Sequence, residues 1–291
     1  MKVLVIGTHG QLARSLAERA LQRPKVELIA LGRPDVDLEI GGSAKAAIIA
    51  AGPDVVINAA AYTAVDQAED EPERAFRINA DAAGEIADAA ARIGAPIIQI
   101  STDYVFDGTG PSAYDEQTQV GPVSTYGRSK LAGEEQVRAA NAHHTIVRTA
   151  WVYSPFGRNF VKSIMSAAET RDVLTVVDDQ RGCPSNALDL ADGLLMMIEK
   201  GLQSGEIYHL GGGETTWFEF ARTIMENCSR LGLPSAEVQP IPTEQWPTKA
   251  ERPRNSVLDS RKFRRDFGYS MPDWRVSVRA VIERLANSPT T

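Results

Sequence analysis

An open, doubly wound parallel α/β sheet of the Rossmann type, with a smaller C-terminal substrate-binding lobe, is the fold class that this 291-residue sequence predicts. Three observations carry that expectation. Short apolar segments rich in β-branched residues alternate with stretches of helical character through the first half of the chain. The first of these segments runs directly into a glycine-bearing turn. Beyond about residue 150 the alternation gives way to shorter elements and to Pro- and Gly-containing loops, around Asp178 to Ser185 and Gly211 to Thr216. The expected division is therefore a dinucleotide-binding domain over 1–150, with some later chain returning to it, and mainly a substrate-binding lobe over 151–291.

The first strand, Val3 to Ile6, ends in Gly7-Thr8-His9-Gly10-Gln11-Leu12-Ala13, which opens a helix over Gln11 to Gln22. Small residues at a first βα junction let backbone amides and the positive helix end approach a pyrophosphate, so Gly7, Gly10 and Gln11 are cofactor candidates. A turn that merely joins strand to helix is the plain alternative. The second strand, Glu27 to Leu31, ends in Gly32-Arg33, where NAD-preferring folds often carry an acid for the ribose 2′-hydroxyl. An arginine there suits a 2′-phosphate, hence NADPH, with NADH as the alternative if Arg33 is only a solvated loop charge. Asp37 and Leu38 follow, either as adenine contacts or as an ordinary turn.

A helix over Ser43 to Ala51 leads to the third strand, Val55 to Asn58, and then to Ala59-Ala60-Ala61-Tyr62-Thr63. These small residues allow close passage beneath a ribose, or simple core packing. After a helix expected over Pro72 to Ile93, the fourth strand, Ile97 to Ile100, runs into Ser101-Thr102-Asp103-Tyr104. The next helix, Ser124 to Ala140, carries Tyr126 and Lys130 four apart, on one face. Reduction of a ketone by hydride leaves an alkoxide that needs a proton, and a tyrosine beside an ammonium is a suitable donor. The Thr102 hydroxyl, at the end of a neighbouring strand, is placed to hold the carbonyl oxygen. A strand over Thr145 to Arg148 follows, then Trp151, which by residue chemistry alone is a core tryptophan. Arg252-Pro253-Arg254-Asn255-Ser256 reads alone as a surface basic cluster, or as a diphosphate site.

These residues converge on a family. The Gly-x-x-Gly turn, NAAAYTAVD, STDYVFDG, YGRSKLAGE and RTAWVY together resemble the extended short-chain dehydrogenase/reductases, and within them the dTDP-4-dehydrorhamnose reductases. GCPSNALDLAD, YHLGGGETTW and RPRNSVLDS extend the resemblance over nearly the whole chain. It implies Thr102, Tyr126 and Lys130 as the catalytic set, with Tyr126 the proton donor and Lys130 also gripping the nicotinamide ribose. It implies Gly10, Gln11, Leu12, Asp37, Leu38, Ala61, Tyr62 and Thr63 along the cofactor. Asp103 joins Thr102 at the substrate, Trp151 packs on the sugar, and Arg252 and Asn255 meet the nucleotide. The implied reaction is NADPH-dependent reduction at C4 of dTDP-4-dehydro-β-L-rhamnose, for cell-surface polysaccharide synthesis. The competing readings are another nucleotide-sugar 4-ketoreductase or epimerase, and a non-catalytic regulatory subunit, against which the intact Thr102, Tyr126 and Lys130 argue.

Composition narrows the remaining classes. Thirty-one basic against 38 acidic residues give a formal charge of -7, with the basic residues scattered, which disfavours nucleic acid and anionic membranes as partners. No apolar run approaches the roughly 20 residues that span a bilayer, so a cytoplasmic location is expected. Cys183 and Cys228 lack ligand spacing and read as reduced thiols. His9, His143 and His144 have no acidic or cysteine partner in register, and no metal site is assigned. Some relatives are linked into dimers by a metal held by glutamates, one just after the glycine turn; this chain has Ser15 there. The expected assembly is a monomer or homodimer.

Overall fold

The structure, a computed structural model, describes residues 1–287. Its main sheet consists of β1 (Lys2–Ile6), β2 (Glu27–Leu31), β3 (Val55–Asn58), β4 (Ile97–Thr102), β5 (His144–Thr149) and β6 (Glu206–His209). They lie in the order β6-β5-β4-β3-β1-β2, every neighbouring pair parallel. The winding reverses between β1 and β3. At such a reversal the connecting loops part at the carboxyl ends of the strands and leave a ligand crevice.

Strands buried on both faces read as continuous apolar runs, because successive side chains point to opposite sides and both sides are covered. Val3 and Val5 pack on one face with α1 (Gln11–Ala20), through Leu12 and Leu16. Leu4 and Ile6 pack on the other, with Ile48 of α2 (Ser43–Ala51), Ile86 of α4 (Ala82–Arg92) and Val137 of α5 (Thr125–Ala140). The helix expected over Pro72 to Ile93 is not regular. It consists of α3 (Pro72–Phe76), one π turn over Arg77–Asp81, and α4. The widened turn presents the Asn79 carbonyl to α5 at Gly133, where a Cβ would come within 2.0 Å of that oxygen.

After β5 the chain builds a second core from Tyr153, Val161, Phe220, Ile224, Trp274 and Val278, among others. This core gathers α6 (Phe160–Ala168), α8 (Trp217–Arg230), α10 (Trp274–Ala286) and the parallel pair Val173–Val177 and Glu237–Ile241. Between these pieces α7 (Ala187–Lys200), β6 and α9 (Arg261–Phe267) pack with the first sheet through Leu190, Leu194, Tyr208 and Phe263. No helix among the described residues is long and apolar enough to cross a membrane.

Candidate active site

The three strand ends around the reversal are tied together by backbone. Gly7 N–H donates to the Leu31 carbonyl at 2.6 Å, and Ala59 N–H to that of Ile6 at 3.1 Å. Gly7 has φ of 118°, a left-handed conformation that favours glycine, and a Cβ there would face the Ala60 nitrogen at 3.6 Å. Gly10 caps α1 without a side-chain partner for the helix amides, and nothing lies within 4 Å of where its Cβ would be. The start of α1 therefore has no side-chain cap on its amides and carries partial positive charge beside the open space at Gly10, a cradle that fits a pyrophosphate.

The flanking residues divide. Gln11 turns its side chain away, into the second lobe: Nε2 donates to the Val152 carbonyl at 3.1 Å, and Oε1 accepts from Ser154 Oγ at 2.8 Å and Asn159 Nδ2 at 3.0 Å. Leu12 is buried in the core. Both offer the crevice only backbone. Arg33 is exposed and makes no ion pair among the described residues, while a Cβ on Gly32 would meet Thr8 Oγ1 at 2.8 Å. Asp37 is engaged as a turn residue, its Oδ1 accepting from Glu39 N–H at 3.0 Å, and Leu38 packs with the core behind β1. Ala61, Tyr62 and Thr63 pass over the end of β3, clamped by an asparagine that sequence reasoning missed. Asn79 accepts from Tyr62 N–H at 2.8 Å, and its Nδ2 donates to the Tyr62 carbonyl at 3.1 Å and to Ser129 Oγ at 2.9 Å.

On α5, Ser124 is the cap, its hydroxyl accepting from Gly127 N–H at 3.1 Å. Gly127 is what lets the first turn of this helix seat against the Asp103–Val105 turn. A Cβ there would lie 2.2 Å from the Tyr104 carbonyl oxygen and 2.9 Å from Pro122. That close approach brings Tyr126 beside Thr102, with Tyr104 edge-on to the Tyr126 ring at 5.7 Å. Thr102 Oγ1 donates to Asp103 Oδ1 at 2.9 Å and accepts from Tyr104 N–H at 3.2 Å, and the Tyr126 phenol lies within reach of the same hydroxyl. Phenol, hydroxyl and carboxyl thus form a chain that runs inward from the half-buried Tyr126 to the buried Thr102 and Asp103.

Burial dominates the electrostatics. It pushes the Tyr126 phenol up to about 12, eased by the Thr102 hydroxyl, and the Asp103 carboxyl up to about 6, eased by Ser256 and Thr102. Burial pulls Lys130 down to about 8 against the pull of Glu134. The expected lowering of the Tyr126 phenol by Lys130 gives way to a different arrangement: Nζ donates to the Ile100 carbonyl at 2.7 Å, and the lowering contact on Tyr126 is Thr102. The phenol is still competent. A protonated phenol remains a stronger acid than the alcohol formed when an alkoxide takes up its proton, so transfer runs downhill.

Two expected substrate residues are placed otherwise. Asn255 spends its amide on backbone, Nδ2 donating to the carbonyls of Gly110 and Ser112 at 2.8 Å each and Oδ1 accepting from Val257 N–H at 3.2 Å. It fastens two loops and has no hydrogen left for a ligand. Trp151 stacks on Trp217 at 3.5 Å and 9°, and Gly182 lies so close that a Cβ would come within 2.3 Å of the indole. The ring is half-buried with one face covered, and its backbone is held at φ of 45°. Arg252 binds Asp66 through both terminal nitrogens, at 2.9 and 2.7 Å. It also lines a cleft of about 790 Å³ with Arg181, Lys249, Arg254 and the half-exposed Trp246. Arg181, Lys249 and Arg254 are paired with Glu214, Asp70 and Glu244 as Arg252 is with Asp66, so a nucleoside diphosphate would compete with these carboxylates, while the indole offers a face to a base. Trp246 and Lys249 had no motif to announce them. Gly127 and Gly133 did give a signal, as glycines inside a helical run. Among the described residues no group of three or more His, Cys, Asp or Glu is placed to hold a metal ion.

Residues 1–287 match the family model described as RmlD substrate binding domain. The dTDP-4-dehydrorhamnose reductase of Sinorhizobium fredii is 44% identical over 291 residues, covering 98% of each chain. Among solved structures, that of a dTDP-4-dehydrorhamnose reductase from Clostridium acetobutylicum superposes with a TM-score of 0.92 at 37% identity, covering 98% of this chain and 100% of the other. The dTDP-4-dehydrorhamnose reductase of Bacillus anthracis, solved in complex with NADP, gives a TM-score of 0.90 at 33% identity, covering 97% and 99%.

Proposed function

The chain belongs to the RmlD substrate binding domain family, and from that premise we propose that it is an NADPH-dependent oxidoreductase reducing the C4 keto group of dTDP-4-dehydro-β-L-rhamnose to dTDP-β-L-rhamnose. The observation that carries the reading is the chain from the half-buried Tyr126 to the buried Thr102 and Asp103 at the carboxyl edge of the sheet, beside Lys130. The uncapped start of α1 at Gly10, and the glycine turn at Gly7, fit the cofactor's pyrophosphate; the exposed Arg33, free of ion pairs among the described residues, fits its 2′-phosphate. When bound, the reduced nicotinamide supplies the hydride.

The chain's own residues supply the rest. On substrate binding the Thr102 hydroxyl turns its one hydrogen from Asp103 to the carbonyl oxygen and orients it, and Tyr126 gives up its proton to that oxygen. Lys130 keeps two ammonium hydrogens beyond the one donated to Ile100, enough for a ribose diol. In this reading residues 1–150, joined by the returning chain, hold the cofactor, and 151–291 mainly hold the sugar nucleotide. The cleft around Arg252 and Trp246 takes the nucleotide end. The reading carries with it a cytoplasmic monomer or homodimer.

The test is loss of reduced-nicotinamide absorbance with dTDP-4-dehydrorhamnose, for wild type and Tyr126→Phe, with NADPH and NADH in parallel. Sugar-dependent oxidation should fall about 10²–10⁴-fold in the variant, the usual contribution of a positioned acid. Wild-type protein that binds NADPH but leaves the sugar unreduced would overturn the proposal.

A further inference from the structure

Beneath the site lies a charged pair that the reaction as described does not use. Glu134 stands one turn beyond Lys130 on α5, as Lys130 stands one turn beyond Tyr126, so all three share a helix face. Lys130, Glu134 and Arg148 are 4%, 0% and 2% exposed. Arg148 of β5 grips the Glu134 carboxylate with two parallel bonds, Nε to Oε1 at 2.8 Å and Nη2 to Oε2 at 2.7 Å, and Arg138 adds a longer contact at 3.4 Å. Arg148 lies opposite Ser101 of β4, the residue after the Ile100 whose carbonyl binds Lys130. A planar bidentate pair fixes both position and rotation of the carboxylate.

Resting on the reductase reading above, we propose that Glu134, locked by Arg148 one helical turn from Lys130 but outside ion-pair distance of it, is a positioning residue for the reaction: it supplies the buried charge that keeps Lys130 an ammonium while Nζ stays on the Ile100 carbonyl. No other group around Lys130 takes this part. On its own helix the remaining neighbour is the protonated Tyr126. From β4 and the turn after it come Ser101, Thr102, Tyr104 and Asp103, whose carboxyl accepts from Thr102 at Oδ1, leaves Oδ2 without a partner, and is not among the charges acting on Lys130. From β5 comes Arg148 itself, and the adjoining His209 of β6 is pulled down to about 3 by burial and by Arg148, so it is neutral. Asn79 of the π turn is uncharged. Glu69 is bonded to Thr125 and Asp81 to Gln136, at other positions on α5, and Arg74 and Arg77 pair with Glu39, Glu71 and Glu85. The opposing influences on Lys130 agree with the geometry, burial lowering it and Glu134 raising it.

Two variants are compared with wild type: Glu134→Gln, and the double change Glu134→Leu with Arg148→Met, which leaves no orphaned charge should the single variant fail to fold. The first readout is the titration of Lys130 in folded protein by NMR of ¹³Cε-labelled lysine, assigned with Lys130→Met. The second is the alkaline limb of kcat for NADPH oxidation. Loss of Glu134 should move the Lys130 midpoint, and with it the alkaline limb, down by about one pH unit. A Lys130 midpoint unchanged in a folded variant overturns the proposal, because a merely structural pair would lower stability without moving it. Should wild type show no sugar-dependent oxidation, the reductase reading fails, yet the NMR midpoint still decides the role of Glu134.

Discussion

Asp103 is held in the site against its own preference for water. Burial raises its carboxyl to about 6 from the ordinary 3.8, a difference of roughly 3 kcal/mol at about 1.4 kcal/mol per unit. The sign follows from which state holds the proton. Between those two values the folded protein keeps the proton and the unfolded chain gives it up, so this group makes stability fall as pH rises through the window. The full cost applies above about 6, and none remains below about 3.8. Asp103→Asn, which keeps an acceptor for Thr102, should therefore raise the free energy of unfolding at pH 8 and lose that advantage at pH 4, as urea titrations at the two values would measure. An equal gain at both would exclude burial of the charge as its source. The placement of Thr102 at a strand end and of Tyr126 and Lys130 on one helix face was legible in the sequence because strand ends and helix spacing place such residues by rule. What covers Asp103, or occupies the amide of Asn255, depends on loops far along the chain, around Ser256 and Gly110, for which no local pattern exists. The stacking of Trp151 on Trp217 was hidden for the same reason.

Periodicity reports an element when both of its flanks are typical. The strands Glu27–Leu31 and Val55–Asn58 match their β-branched runs, and β4 and β5 extend theirs by only one or two residues. Strand β6 went unread because Glu206–His209 is short and half polar, its place being set by pairing with β5. The π turn at Arg77–Asp81 escaped because an Ala-rich helical pattern looks the same with one widened turn inside it; the cause lies across the interface, where α5 passes over Asn79. Gly133→Ala would force a Cβ to within 2.0 Å of the Asn79 carbonyl oxygen, so either α5 lifts or the turn must reform. Overpacking of this kind costs about 1–3 kcal/mol. Thermal unfolding should show that loss together with weaker NADPH binding, since Asn79 also clamps Tyr62. Gly41→Ala is the control: its Cβ would meet only Glu85 Oε1, at 3.8 Å, and its unfolding should shift by less than about 0.5 kcal/mol.

At the scale of the whole molecule, α1 is the element that both halves share. Its first turn faces the crevice, while its side chains reach the second lobe: Gln11 to Val152, Ser154 and Asn159, and Glu18 to Arg284 of α10 at 2.7 and 2.8 Å. Arg14 and Arg284 also lie against Phe156, at 4.2 and 5.0 Å from its ring. Whatever orders the start of α1 therefore also bears on the second lobe, which under the proposed function holds the sugar nucleotide. Gln11 separates the two tasks, because its backbone amide is at the cofactor end and its side chain is spent on the lobe. Gln11→Ala removes three hydrogen bonds of about 0.5–1.5 kcal/mol each, part of which water recovers. The Kd for NADPH should stay within about twofold, while KM for the nucleotide-sugar rises about tenfold, the equivalent of one such bond lost in effect. Fluorescence titration with NADPH, set beside steady-state kinetics in the sugar, separates the outcomes. The reverse pattern, with NADPH affinity falling and KM for the sugar unchanged, would return the Gln11 side chain to the cofactor and remove α1 as the link between the lobes.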